Sequence, residues 1–174
     1  MPDNLSQSDS EHEGQMEGGG TDGRGGVWVA GQVVLFGLFL VSVIGSGPIP
    51  DVPGIQFARI VGILVALGGA ALSSWAFVHH GSDLTPFPKP VDGQQLIDQG
   101  PYRHVRHPMY SGIIAFTLGV GLAYANPATM LSSLAFTVFF MAKTGHEEEL
   151  LIRHVPGYRA YRAAVPWRLI PFVL

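Results

Sequence analysis

The chain has 174 residues, 47% of them hydrophobic and only 13% charged, with a formal net charge of −3 and a mean hydropathy of +0.29. That balance is too apolar for an ordinary soluble domain of this length and suits one compact membrane domain. The absence of cysteine excludes disulfides, thiolate metal sites and cysteine nucleophiles.

Residues 1–26 stand apart. Six of the 13 acidic residues fall in the first 24 positions, against one basic residue, Arg24. Ser, Gln, Glu, Asp and Gly dominate, so the segment has too little apolar surface to fold alone and reads as a disordered, acidic, Gly-rich tail. It lacks the positive n-region of a signal peptide. The rest, 27–174, is expected to form a single domain and is mildly basic, with seven acidic and nine basic residues.

Val27–Gly45 is a charge-free run long enough to cross a bilayer as a helix. Gly45, Gly47, Pro48, Pro50 and Pro53 then enforce a loop. Ile60–Val78 is a second charge-free span, with Arg59 before it and His79-His80 after it. Its Gly68-Gly69-Ala70-Ala71 stretch and Ser73-Ser74 suit close helix packing. The third apolar run, Pro108–Ala142, has 35 uncharged residues. At about 1.5 Å per residue it would reach roughly 52 Å, too far for one span. Asn126-Pro127 supplies a break, which predicts a hairpin of Pro108–Ala125 and Pro127 to about Lys143. Both arms are short, implying tilt or local bilayer thinning.

The expected fold is therefore all-α and integral to the membrane, with four transmembrane helices, the last two a short hairpin. Lys89, Arg103 and Arg106 lie in the loop 79–107, and Arg153, Arg159, Arg162 and Arg168 in the C-terminal segment, whereas 46–58 and 125–127 hold no Lys or Arg. The positive-inside rule then places both termini and the basic loops in the cytoplasm, in a cell (inner) membrane. His146–His154 reads as a helix continuing from the fourth span, broken by Pro156. Gly157–Val165 reads as a short amphipathic helix with Tyr158, Tyr161, Arg162 and Val165 on one face, forming a cytoplasmic cap.

Three constellations carry chemistry. The first is GPYRHVRHPMYSG, Gly100–Gly112, at the mouth of the third apolar run. Pro108 suits the first position of a helix, with His107 near the N-cap. The free backbone donors there, with Arg103 and Arg106, favour an anion, and Tyr102 and Tyr110 offer ring faces and hydroxyls. The same residue types equally describe an interfacial anchoring belt. The second is Glu147-Glu148-Glu149. Helix geometry lets one or two of the three face inward, to bind hydroxyls or an amine or to balance a cation; Glu149 reads as solvated. The third is Tyr158, Tyr161 and Arg162, followed by Pro166-Trp167-Arg168. It either lies on the membrane surface or caps a pocket. His79-His80 and His104-x-x-His107 are too sparse for metal boxes, and His79-His80 reads as an interfacial pair.

In order and spacing, GPYRHVRHPMYSG, the Asn126-Pro127 hairpin, EEELL and YRAYRAAVPWRLIP resemble the isoprenylcysteine carboxyl methyltransferase family, which is grouped with phospholipid methyltransferases. Leu96-Ile97 and the TPFPKP stretch resemble it too. The resemblance covers roughly 80–174; residues 27–78 match only as hydrophobic spans. It implies an integral membrane enzyme using S-adenosylmethionine, bound in a cytoplasmic pocket under the C-terminal segment. By position, Pro101, Tyr102, Val105, Arg106, His107, Pro108 and Tyr110 would line that pocket. Glu147 or Glu148 would contact the cofactor from the fourth helix, and Tyr158, Tyr161 and Arg162 would close over it. The chain departs from the family in showing three acids where a pair is usual. Arg106, Arg162 and Glu148 are the candidate catalytic residues, with Arg162 or Arg106 holding an acceptor carboxylate; no metal is implied. The acceptor would be a lipophilic or prenylated molecule arriving from the bilayer. Membrane lipids are the other expected partners, and nucleic acid is not one. A sterol-reductase-like enzyme using NADPH resembles the chain at Tyr158, Tyr161, Val165, Arg168 and Pro171, and a non-catalytic membrane scaffold is a third reading.

Overall fold

The computed structural model describes residues 25–81, 86–87 and 95–171. The acidic tail and most of the TPFPKP stretch lie outside these residues. All described regular structure is helical: α1 (Gly26–Ser46), α2 (Ile55–His80), a 3₁₀ turn (Gly100–Arg103), α3 (Pro108–Tyr124), α4 (Pro127–His154) and α5 (Tyr158–Ala164). Two of them, α1 and α2, are long and apolar enough to cross a membrane, and α3 is a shorter apolar helix of 17 residues.

The most extensive contact is between α2 and α3, and small residues set it. Gly62, Gly69 and Ala76 recur at intervals of seven along α2, and Gly112 and Gly119 do so along α3, so each set shares one helix face. The helices run antiparallel, with Gly62 against Gly119 and Ala123, and Gly69 against Gly112 and Phe116. Their backbones approach so closely that a Cβ on Gly62 would lie 2.4 Å from the Ala123 amide nitrogen, and one on Gly69 2.4 Å from that of Phe116. Ser73 adds a bond from its Oγ to the Met109 carbonyl at 2.7 Å. The expectation of close packing holds, but Gly69 carries it and Gly68 does not: a Cβ on Gly68 meets nothing within 4 Å.

The hairpin forms where expected. Ala125 takes a left-handed conformation (φ 52°) that ends α3. Asn126 then caps α4 by accepting the Ala128 amide at 2.9 Å, with Pro127 at the first helical position. The Asn126 side chain also donates to the Gly47 carbonyl at 3.2 Å, fixing the turn to the end of α1. Between α3 and α4, the buried Ser133 hydroxyl donates to the Thr117 carbonyl at 2.7 Å. Phe39, Ile114, Phe136, Phe140 and Leu169 form the apolar core shared by α1, α3, α4 and the C-terminal segment. The outward faces of α1 and α2 are lined by exposed apolar side chains such as Val33, Val41, Leu64 and Leu67, the surface a helix presents to lipid.

As expected, the helix continues from the fourth apolar arm through the glutamates: α4 runs unbroken for 28 residues and joins the two rigidly. The 3₁₀ turn at Gly100–Arg103 was not expected. Gly100 (φ 57°) packs against the His79 ring, which leaves no room for a Cβ, so the end of α2 braces the start of the site.

Replacing Gly69 by Leu should collapse this packing, since overpacking a tight contact costs about 1–3 kcal/mol and more where backbone must move. Thermal unfolding in detergent should show a large drop for Gly69→Leu and almost none for Gly68→Ala.

Candidate functional site

At the end where α3 begins, α4 emerges and α5 folds back, Glu148 is buried to 2% exposure among cations. Arg106 Nε donates to Glu148 Oε1 at 2.7 Å. Arg168 Nε lies 3.4 Å from Oε1, and Arg162 Nε 3.8 Å from Oε2. His107 Nε2 is 3.3 Å from Oε1 but is not well aligned for a hydrogen bond. Burial pushes the Glu148 carboxyl up, but His107 and Arg106 outweigh it and bring its pKa down to about 2. Glu148 is thus a carboxylate at every physiological pH.

The C-terminal segment is stitched to the start of α3 by backbone. The amides of Arg106 and His107 donate to the carbonyls of Trp167 and Arg168, each at 3.0 Å. Arg106 Nη1 donates to the carbonyls of Val165 and Pro166, both at 2.7 Å, and Ser111 Oγ to that of Leu169 at 2.6 Å. Arg106 is therefore committed to Glu148 and to this segment, and the anion site expected of Arg103 with Arg106 does not form: Arg103 is exposed, on the far side of the turn. Tyr158 and Tyr161 of α5, and Val165 just after it, are buried with Leu96, Leu151 and Ile152 around them. Arg162, expected on the same face, stands at the rim with its side chain 47% exposed, because the tyrosines take up the contact with α4.

Tyr161 donates its hydroxyl to the Tyr102 carbonyl at 2.7 Å, joining α5 to the 3₁₀ turn, and the Tyr102 hydroxyl meets His80 Nδ1 at 2.9 Å. Burial, with the nearby Glu147, raises the Tyr102 pKa; burial, with Glu148, raises that of Tyr158; burial, with Tyr102, raises that of Tyr161. All three phenols stay protonated. Tyr110 stacks on His107 with ring centroids 5.7 Å apart and donates to Glu147 Oε2 at 3.0 Å. Pro101, Val105 and Pro108 are buried beneath. The structure thus gathers Pro101, Tyr102, Val105, Arg106, His107, Pro108, Tyr110, Glu147, Glu148, Tyr158 and Tyr161 at one end of the bundle. Glu149 is exposed.

Among the described residues, three buried polar atoms of this cluster have no hydrogen-bond partner: His107 Nε2, Glu148 Oε2 and Tyr158 Oη. Buried polar atoms left unmatched lose free energy unless a ligand meets them. An open groove of about 360 Å³ lies elsewhere, on the outer side of the cap between Arg103, His104, Val165, Trp167 and Pro171.

The phospholipid methyltransferase family profile matches residues 57–155. The chain belongs to that family. Among curated relatives, the protein-S-isoprenylcysteine O-methyltransferase of Xenopus laevis is 27% identical over 128 residues, covering 71% of this chain and 44% of the frog protein. The probable counterpart of Oryza sativa subsp. japonica is 31% identical over 131 residues, covering 71% of this chain and 66% of the rice protein. The Homo sapiens protein is 31% identical over 130 residues, covering 71% and 45%. The chain thus spans between about half and two thirds of these relatives. Its fold is that of the eukaryotic intramembrane Ras methyltransferase, isoprenylcysteine carboxyl methyltransferase, with a TM-score of 0.61 over 91% of this chain and 58% of that one at 22% identity. Within this methyltransferase family, the site at the α3–α4–α5 junction lies largely inside the matched region, and α5 lies beyond it.

Sequence reasoning noted Arg168 but not the approach of its guanidinium to Glu148, and as a site residue it missed Lys143, which is 1% exposed and held by α1. The signal for Lys143 was present: it is the first charge after 35 uncharged residues.

Removing the charge by Glu148→Gln should leave Arg106 buried without its counter-ion, at about 3–5 kcal/mol. Limited proteolysis should then cut residues 155–171 much faster than in the wild type. In the wild type the pairing is complete above the ordinary carboxylate pKa of 4.5 and is lost as pH falls towards about 2. Cap protection should therefore be flat from pH 5 to 8 and fall only in strong acid.

Proposed function

We propose that the chain is an S-adenosylmethionine-dependent methyltransferase acting at the cytoplasmic face of a membrane on a lipophilic acceptor with a free carboxylate, of the prenylated-cysteine class. The observation that carries this reading is the trio of partnerless buried atoms on His107, Glu148 and Tyr158, in a chain of the methyltransferase family. Its relatives' names support the acceptor class.

The residue types fit the donor. Glu147 and Glu148 offer carboxylates to a cationic sulfonium and amine, Tyr102 and Tyr110 offer ring faces to a nucleoside, and His107 and Tyr158 offer polar atoms to its hydroxyls. When bound, S-adenosylmethionine would supply the methyl group for in-line displacement by an acceptor oxygen, the electron pair remaining on sulfur. The protein's part is to align, to exclude water and to hold charge. Pro101, Val105 and Pro108 form a dry floor. Arg106 fixes Glu148 and the C-terminal segment in register. Tyr161 holds the cap closed through the Tyr102 carbonyl. Arg162, at the rim, follows Glu148 and shields the pocket from the aqueous side. A carboxylate acceptor is ionised at neutral pH and needs no general base, and the protonated tyrosines supply none.

Four spans, with α3 and α4 as the short pair, are the proposed topology, in a cell membrane with both termini cytoplasmic. It rests on the arginines of the α5 segment and on the absence of Lys and Arg from the opposite loops 46–58 and 125–127. Arg59, near the start of α2 on the far side, is paired with Asp51 and so adds little net charge there.

Calorimetry on protein in detergent should show S-adenosylhomocysteine binding and none of NADPH. An intact fold that binds NADPH and not S-adenosylhomocysteine would sink the reading in favour of a reductase. His107→Ala and Tyr158→Phe should each weaken S-adenosylhomocysteine binding roughly tenfold, the scale of one hydrogen bond to a demanding partner. Unchanged binding in both variants would displace the pocket.

A further inference from the structure

Lys143 is 1% exposed. An ammonium buried among apolar helices is unfavourable unless its donors are met, and such residues mark functional sites. Two of its three N–H donors go to neutral oxygens: Gln32 Oε1 of α1 at 2.8 Å and the Pro86 carbonyl at 3.0 Å. Its remaining side faces the Tyr110 ring, whose centroid is 5.3 Å from Nζ. Among the described residues no carboxylate forms an ion pair with it; Glu147, one turn on, is engaged by the Tyr110 hydroxyl. A glutamine would satisfy the same two acceptors without burying a charge. Among the described residues its direct contacts are neutral, and the nearby Glu147 carboxylate acts on it without pairing, so the cation is poised for a second anion.

Its position says which anion. Lys143 lies about 24 Å along α4 from Pro127, at the end of the helix that carries the site. One aromatic ring, Tyr110, separates the ammonium from His107 and the proposed cofactor cluster. α1 packs chiefly on α4, and the Gln32–Lys143 bond lies at the near end of that contact, as Ser42 with Ser132 lies at the far end. A hydrocarbon tail lying along α1 and α4 would carry its polar head to Lys143.

We propose that Lys143 is the acceptor-binding residue that takes the free carboxylate of the methyl acceptor, exchanging its Gln32 and Pro86 contacts for a charged pair; this rests on the methyl-transfer reading above. A neutral head group gains too little to displace those contacts, so the site selects an acid over its amide.

Binding of an S-prenylcysteine with a free carboxylate, and of its carboxamide, tests this in full-length protein saturated with S-adenosylhomocysteine. The wild type should prefer the acid by about tenfold or more. Lys143→Gln, which keeps a donor for the same oxygens, should lose that preference while its S-adenosylhomocysteine affinity stays within about twofold, and Lys143→Arg should retain it. A preference retained in Lys143→Gln, or absent in the wild type, overturns the inference alone. Wild-type protein that binds S-adenosylhomocysteine but neither prenylcysteine overturns the acceptor class as well. Should Lys143→Gln fail to fold, Gln32→Leu frees one donor of an intact cation: acid binding should tighten and amide binding stay level, and no change in either overturns the proposal.

Discussion

A carboxylate buried among cations holds the working end of this molecule together. Glu148 draws in Arg106, His107, Arg162 and Arg168 from the start of α3, from α5 and from the C-terminal segment. Without it, the three guanidinium charges would repel one another at this junction. With it, the same charges become the reason three separate pieces of chain meet. The desolvation of one acid is offset by several partners, and the excess appears as a carboxyl group that resists protonation far into acid.

That junction needs a rigid base, and α4 and the α2–α3 pair provide it. An unbroken α4 carries Glu148 at a fixed distance from the apolar core, and glycine packing sets α3 against α2 at backbone distance, pinned by Ser73. His79 and His80 at the end of α2 then fix the 3₁₀ turn on which Tyr102 sits. Buried contact and shared polar contact run in one direction, from the helix pair towards the cap.

The elements were readable in the sequence because each has a local cause. Asn126-Pro127 ends one helix and starts the next by its own chemistry, and charge-free runs show directly where apolar helices lie. The fate of individual charges was not readable. Nothing in YRAYR reveals that the tyrosines sink while Arg162 stays at the rim, because the face is chosen by Leu96, Leu151 and Ile152 from elsewhere in the chain. The commitment of Arg106 to carbonyls some 60 positions away is likewise a tertiary fact. So is the use of Gly69 rather than Gly68, two neighbours of identical type that differ only in which way the helix turns them.

The backbone bonds from Arg106 and His107 to Trp167 and Arg168 have a bearing on how such a chain can change. Amide and carbonyl groups are common to nearly every residue, so the register of the closing segment depends little on which side chains it bears. Mutation can therefore remodel the outer surface of the cap, including the groove at Arg103 and Trp167, while the seam beneath stays aligned. A lineage could diversify the outer surface of this segment without having to rebuild the buried cluster beneath the seam.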